Sequence, residues 1–263
     1  MRGLTPERAR TLATSAGGLL AVLAAWWLAT LTVLADARIP TPPEVVRSVA
    51  DSGWGFYSTH FSVTVEEAAV GFLYGNLAAL VLASVVLLVP FAEPVIMQVA
   101  VISYCLPIVA VAPVLYLVIG VPDPGERSGT AVALAALSVF FTTVVGALLG
   151  FRSAERTSLD VISVYGGGRF QQLRRVQLVS ALPAIISALQ IAAPAAFLGA
   201  ILGEYVGGIE RGVGLALKIA QQNVDVAQAW GIGFGCAAVA GAAYAAFGLL
   251  ARLVAPWSRG VPG

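Results

Sequence analysis

Charged residues are scarce in this 263-residue chain. Asp, Glu, Lys and Arg make up 11% of it, against about 25% in an ordinary soluble domain, and 59% of its residues are hydrophobic. This composition excludes a soluble globular protein and indicates a polytopic membrane protein. The formal net charge is +1, and the charges gather at the ends of apolar runs rather than along a basic face, so nucleic-acid binding is not indicated.

The residue types that catalytic and metal sites require are also few. His60 is the single histidine, expected to be solvated or interfacial, and Cys105 and Cys236 both lie inside apolar runs. Neither a metal site nor a disulfide is therefore expected. No Gly-x-x-x-x-Gly-Lys-Ser/Thr loop is present, so the chain cannot itself be an ATPase. We predict no catalytic residue and no cofactor in this chain.

Long apolar runs are what the chain does contain. Each is long enough to cross a hydrocarbon core of about 30 Å as a helix. Thr64 and Glu67 have the spacing of a capping box and predict that the second helix begins there, after an external segment with a short helix over 44–52. Pro107 and Pro113 predict a third span that is kinked and buried among its neighbours. The predicted fold is all-α with about six transmembrane helices, over 11–35, 64–92, 95–122, 128–151, 182–203 and 226–251.

Basic residues are unevenly shared between the segments that join these spans. Ten of the fifteen fall in the termini and in the loop 152–181, which alone carries five arginines. Because Lys and Arg are enriched on the cytoplasmic side, the loop and both termini are predicted to be cytoplasmic.

Within that loop, the stretch from Leu159 to Tyr165 predicts a short helix, with Leu159, Ile162 and Tyr165 near one face. Three glycines at 166–168 should end it, and a second helix should begin near Arg169. The loop is thus expected to be helix, glycine turn, helix.

This pattern resembles the cytoplasmic coupling loop, or EAA loop, of bacterial ABC importer permeases. Asp160, Val161, Ile162 and Gly166 occupy its acidic, small, small and glycine positions, although Asp replaces Glu and larger side chains replace the alanines. Pro183, which should also kink or restart the second loop helix, matches a proline common in the sulfonate, nitrate and taurine type.

In that family the short helix docks on the cytoplasmic ATPase. The resemblance therefore implies that the segment around 159–169 contacts a partner, through Leu159, Asp160, Val161, Ile162, Tyr165, Gly166, Gly167 and Arg169. The alternative is a solvated basic loop that only sets the topology.

The resemblance extends from about Pro40 almost to Trp257, through Gly71-Phe72, Leu106-Pro107 and the glycine-rich segment after Glu204. It implies a type I ABC importer permease fold in the bacterial inner membrane. It also implies a homodimer that forms the pathway for a small organic solute, a pair of cytoplasmic ATPases that bind ATP and Mg, and an extracytoplasmic binding protein.

Two carboxylates stand closest to the predicted external ends of spans two and five. Glu67 and Glu204 are candidate pathway-lining or entrance residues. The sulfonate and nitrate branch commonly carries Arg at the position of Glu67, which favours a neutral or cationic cargo here, such as a heterocyclic vitamin precursor. The alternatives are helix capping by Glu67 and an ion pair between Glu204 and Arg211.

Small residues recur every four positions in the fifth span. This row should give the helix a smooth face, either for packing within the chain or for a seam with a second copy, and consists of Ala195, Gly199, Gly203 and Gly207.

Two other function classes remain open on sequence. An autonomous secondary transporter or channel needs no ATPase, but it should carry ionisable relay residues near mid-bilayer, and the spans are essentially free of them. A scaffold subunit is the other class.

Overall fold

The computed structural model describes residues 6–32, 38–207 and 210–256. Within those ranges the chain is helical and contains no strand, which confirms the all-α prediction. A 3₁₀ turn, Pro90–Ala92, precedes the helix that begins at Glu93, and a π turn, Leu173–Gln177, joins the helices on either side of it. The helices are α1 (Pro6–Leu31), α2 (Pro42–Leu88), α3 (Glu93–Cys105), α4 (Ile108–Ile119), α5 (Gly129–Arg152), α6 (Arg156–Val164), α7 (Arg169–Gln172), α8 (Leu178–Val206), α9 (Val213–Gln222) and α10 (Val226–Val254).

Four stretches of the described chain are long and apolar enough to cross a membrane: α2, α5, the continuous stretch 169–206, and α10. Helices α3 and α4 give a fifth if they form one bent span. Helix α1 covers most of the first predicted span, and its stretch Leu20–Leu31 is apolar. Positions 33–35 of that predicted span lie outside the described residues.

The short helix predicted over 44–52 is present as the first part of α2, and the helix predicted to begin at Thr64 begins earlier than predicted. Helix α2 starts at Pro42 and is interrupted only at Gly53, whose φ of 71° and ψ of 165° are not helical. Glycine adopts such a positive φ readily, so the chain turns there and is helical again before it reaches Thr64. Thr64 therefore lies in the interior of a helix, and the predicted capping box with Glu67 is wrong.

The third span is broken rather than kinked. The axes of α3 and α4 differ by 97°. Pro107 stands at the start of α4, and the residue before it, Leu106, is extended, as steric conflict with a following proline favours. The expected burial is wrong for α4, where Ala112 is the buried residue and Leu117 is 82% exposed.

The chain divides into two units, residues 1–57 with 219–235 and residues 58–218 with 236–263. In the smaller unit, Trp26 stacks on Trp230 with ring centroids 5.3 Å apart. In the larger unit, α5 packs along α8 and buries Leu134 and Val139 completely.

Helix α8 does not restart at Pro183. It begins at Leu178 and runs through both Pro183 and Pro194. The π turn before it connects α7 to α8 without a break, so the part of the loop from Arg169 onward and the fifth predicted span form one continuous helical stretch.

Candidate functional site

The loop after α5 has the predicted helix, turn, helix form. Helix α6 ends at Val164, and Gly166 has a φ of 77°. The N–H of Gly167 donates to the carbonyl oxygen of Ile162 at 2.8 Å, and that of Gly166 donates to Ser163 at 2.9 Å. These bonds satisfy carbonyls at the end of α6 and turn the chain toward α7.

The side chains of α6 divide into two faces, and the division differs from the predicted one. Leu159 and Ile162 are half-buried, whereas Tyr165 is 87% exposed. Val161 and Val164 are also exposed, the latter at 84%. Residues 164 and 165 follow Val161 by three and four positions, so the three side chains form one exposed apolar strip.

The other side of α6 is held by the chain itself. The Gln172 amide nitrogen donates to the carbonyl oxygen of Leu159 at 3.2 Å and to the hydroxyl of Ser163 at 2.8 Å. Gly167 lies so close to Ile162 that an added Cβ would stand 2.4 Å from its Cγ2. Since α7 continues into α8, α6 is attached to a membrane-spanning helix.

Charged residues surround this loop. Asp160 is exposed, and Arg169 is exposed at the first position of α7. At the end of α5, Arg152 forms an ion pair with Glu93 at the start of α3. This contact places the start of α3 and the end of α5 at the same end of the larger unit.

A second polar site lies at the opposite end of α5, around one face of α2. His60 Nδ1 is 2.9 Å from the carbonyl oxygen of Gly212 and 3.1 Å from its nitrogen. One turn further, the Thr64 hydroxyl accepts from the N–H of Val213 at 2.9 Å. Glu67 Oε1 then accepts from the N–H of Ser128 at 2.6 Å. Residues 60, 64 and 67 thus attach α2 to the start of α9 and the start of α5.

Glu204 completes this site from α8. Its Oε2 accepts from the N–H of Gly214 at 2.7 Å, and the side chains of Thr64 and Glu67 are its neighbours. Glu67 and Glu204 are each 1% exposed and Thr64 is fully buried. We call this site the polar clasp; it consists of His60, Thr64, Glu67, Ser128, Glu204 and Gly212–Gly214.

The clasp changes the interpretation of both carboxylates. Both carboxylates are 1% exposed and accept backbone N–H groups, although Glu67 also lines an adjoining cavity of about 350 Å³, so the cargo preference drawn from Glu67 stays a prediction. The predicted pairing of Glu204 with Arg211 is replaced by its bond to Gly214. The role of Glu67 and Glu204 in lining a pathway between subunits stays a prediction.

The sequence analysis did not predict that several of the clasp residues belong to a common site. The sequence predicts a solvated or interfacial His60 but not its contact with Gly212, and Ser128 and Val213 contribute through their backbone N–H groups. The spacing of His60, Thr64 and Glu67 was a usable signal, because positions i, i+4 and i+7 share one helical face.

The small-residue row of α8 packs largely inside the chain. A Cβ added to Gly199 would lie 2.7 Å from the Leu134 carbonyl oxygen, and one on Gly203 would lie 2.3 Å from Ala131 Cα. Gly207 is likewise buried, close to Ser128, while Ala195 is partly exposed. Close packing of α8 on α5 accounts for Gly199 and Gly203 without a second copy.

Comparison with known proteins identifies the class of the chain. Residues 75–260 match the family described as binding-protein-dependent transport system inner membrane component. This match covers well over half of the chain. The chain belongs to this family.

Individual relatives agree with the assignment. The chain is 29% identical over 184 residues to a probable ABC transporter permease protein of Haemophilus influenzae, covering 70% of this chain and 73% of the relative. It is 24% identical to the formylaminopyrimidine transport permease protein ThiX of Halalkalibacterium halodurans, over 73% and 74% of the two chains. It is also 27% identical to a putative aliphatic sulfonates transport permease protein, SsuC, of Bacillus subtilis, over 77% and 72%.

The chain is therefore a multi-pass permease subunit of an ABC importer, as the resemblance predicted. It is not itself an enzyme: ATP hydrolysis belongs to a separate subunit, and members of this family work with an ATPase and a substrate-binding protein.

Proposed function

We propose that two identical copies of this permease enclose the path of a small organic solute, and that α6 transmits the motion of the ATPase to the membrane helices. The proposed coupling through α6 rests on its exposed apolar strip, which consists of Val161, Val164 and Tyr165. Exposed apolar side chains on a polar loop are unfavourable in water and indicate a surface that a partner covers.

The connection of α6 to the bundle supports a mechanical role. Gln172 fixes α6 to α7, and the π turn joins α7 to α8. A displacement of α6 by the ATPase would thus be passed to α8 rather than absorbed in a flexible linker. Alternating access would follow when the bundle rearranges between its inward-open and outward-open states.

The packing inside one chain supports a path between two copies. Glycines on α8 bring its backbone against α5, which leaves no space for a solute between these two helices. Helix α4 instead exposes most of its apolar side chains and is available to lipid or to a second subunit.

We place the loop 152–181 and both termini in the cytoplasm because of their arginines.

The docking role of α6 predicts a selective loss of coupling. Val164→Asp puts a charge in the middle of the apolar strip, where burial of an unpaired charge against a partner is costly. We expect membrane insertion and thermal stability to be retained, and substrate-stimulated ATP hydrolysis to fall at least tenfold after co-reconstitution with the ATPase and binding protein.

Phe170→Ala is the matched control. Phe170 is 62% exposed and apolar, but it lies beyond the glycine turn, on α7. Its replacement should leave coupling largely intact. Full activity of Val164→Asp, or an equal loss in both variants, would contradict docking through α6.

Subunit composition tests the homodimer. Co-purification with the ATPase should give two copies of this chain and two of the ATPase per complex by native mass spectrometry. A complex that contains one copy of this chain and one of a different permease would refute it.

A further inference from the structure

Two buried acids meet in the polar clasp without a cation. Glu67 and Glu204 are each 1% exposed, and each gives one oxygen to a backbone N–H, from Ser128 and Gly214 respectively. The other oxygens, Glu67 Oε2 and Glu204 Oε1, are buried and have no partner of their own. The two carboxyl groups are neighbours in the site.

The surrounding charges do not neutralise this pair. Arg127 is a cation whose charge acts on Glu67, but it is engaged by the exposed Glu66, with Nε 2.7 Å from its Oε1. His60 is turned toward Gly212. The remaining titratable or charged groups near the site are Cys236 of α10 and, around the adjoining cavity of about 350 Å³, Asp123, Glu126, Glu210 and Arg211.

Two ionised carboxylates in such a place would repel each other strongly, because interactions between charges are little screened in a buried environment. Two carboxylate oxygens are also both acceptors, so they cannot bond each other unless one carries a proton. One proton resolves both problems: it removes one charge and supplies the missing donor. The single remaining negative charge is then spread between two groups that each accept a backbone N–H.

We propose that Glu67 and Glu204 bind one proton between them, and that this protonated pair holds α2, α8 and the start of α9 together. The site is a proton-binding site and uses no other ligand. Its role is to position helices: the shared proton closes the clasp, and removal of that proton would leave two like charges that separate α2 from α8. The proton-binding site requires neither the cargo nor the homodimer.

Infrared spectroscopy tests the proton directly. A protonated carboxylic acid has a carbonyl stretch above the amide I region that shifts in D₂O, whereas ionised carboxylates absorb elsewhere. The purified full-length permease at pH 8 should show this band. Glu67 and Glu204 are the buried acids among the described residues, so exposed carboxylates should not contribute to it at that pH.

Variants assign the band to the pair. In Glu67→Gln and in Glu204→Gln, the amide can donate to the remaining carboxylate, so the acid band should disappear in each variant while the thermal midpoint stays close to that of the wild type. Glu66→Gln is the matched control, because Glu66 is the neighbouring residue but its side chain is 55% exposed and paired with Arg127. It should keep the band.

The outcomes are decisive in either direction. A wild-type spectrum without an exchangeable acid band at pH 8 overturns the proposal, even if the glutamine variants fail to fold. Loss of the band in Glu66→Gln, or its persistence in both Glu67→Gln and Glu204→Gln, would also overturn it. These measurements need neither the ATPase nor a transported solute, so their failure would leave the proposed coupling through α6 untouched.

Discussion

At the scale of single residues, the clasp depends on glycine as much as on its acids. Gly212 has a φ of 141°, and a Cβ there would stand 2.6 Å from the Glu204 carboxyl carbon. At Gly214 a Cβ would stand 2.4 Å from the Ile201 carbonyl oxygen. The backbone can therefore reach Glu204 only because both positions lack a side chain, which gives a physical reason for the glycine-rich segment after α8.

Gly166 offers a test of the loop turn with a control two residues away. Its φ is 77° and an added Cβ would meet open space, so Gly166→Ala is opposed by backbone strain alone, about 1–2 kcal/mol. We expect the turn to loosen and substrate-stimulated ATP hydrolysis to fall severalfold in the reconstituted complex.

Gly168 lies in the same turn, also in open space, but with an extended backbone at φ −83°. Gly168→Ala should therefore change coupling little. If the two variants behaved alike, the positive φ of Gly166 would have no part in coupling.

At the scale of helices, the apolar runs predicted where most of the described spans lie. Length and apolarity are properties of the local sequence, and α5 and α10 begin within one residue of their predicted starts. Pro107 predicts a kink near the observed break at Leu106-Pro107, but the sequence does not predict the bend angle of 97°. Bend angles depend on which neighbours take up the freed backbone groups, and a single run does not contain that information.

Errors arose where a local signal competed with a tertiary contact. Thr64 and Glu67 fit a capping box, but the same side chains bond Val213 and Ser128, far away in the sequence. Similarly, helical periodicity placed Tyr165 with Leu159 and Ile162. Only the contact with α7 decides which residues of α6 face the chain and which face outward.

At the scale of the whole larger unit, the ion pairs and the clasp lie at its two ends, and the buried hydrogen bond from Thr143 to Asn76 lies between them. The Arg152–Glu93 ion pair and the loop with α6 mark one end, and the clasp with the Glu66–Arg127 ion pair marks the other. Residues that the sequence assigned to one side of the membrane are thus in contact with residues assigned to the same side. This agreement supports the predicted order in which the connecting segments alternate between the two sides of the membrane. The arginines of the loop indicate which of these sides is cytoplasmic.

Cysteine labelling tests that orientation. Cys105 and Cys236 are first replaced by alanine, and single cysteines are then placed at Thr157, exposed on α6, and at Asp123, exposed between α4 and α5. We expect a membrane-impermeant thiol reagent to label Asp123→Cys in spheroplasts and to label Thr157→Cys only after the membrane is opened. Both sites should react fully in detergent, which controls for access.

Labelling of Thr157→Cys in intact spheroplasts would place α6 outside the cell, where it could not meet an ATPase, and would refute both the orientation and the proposed coupling.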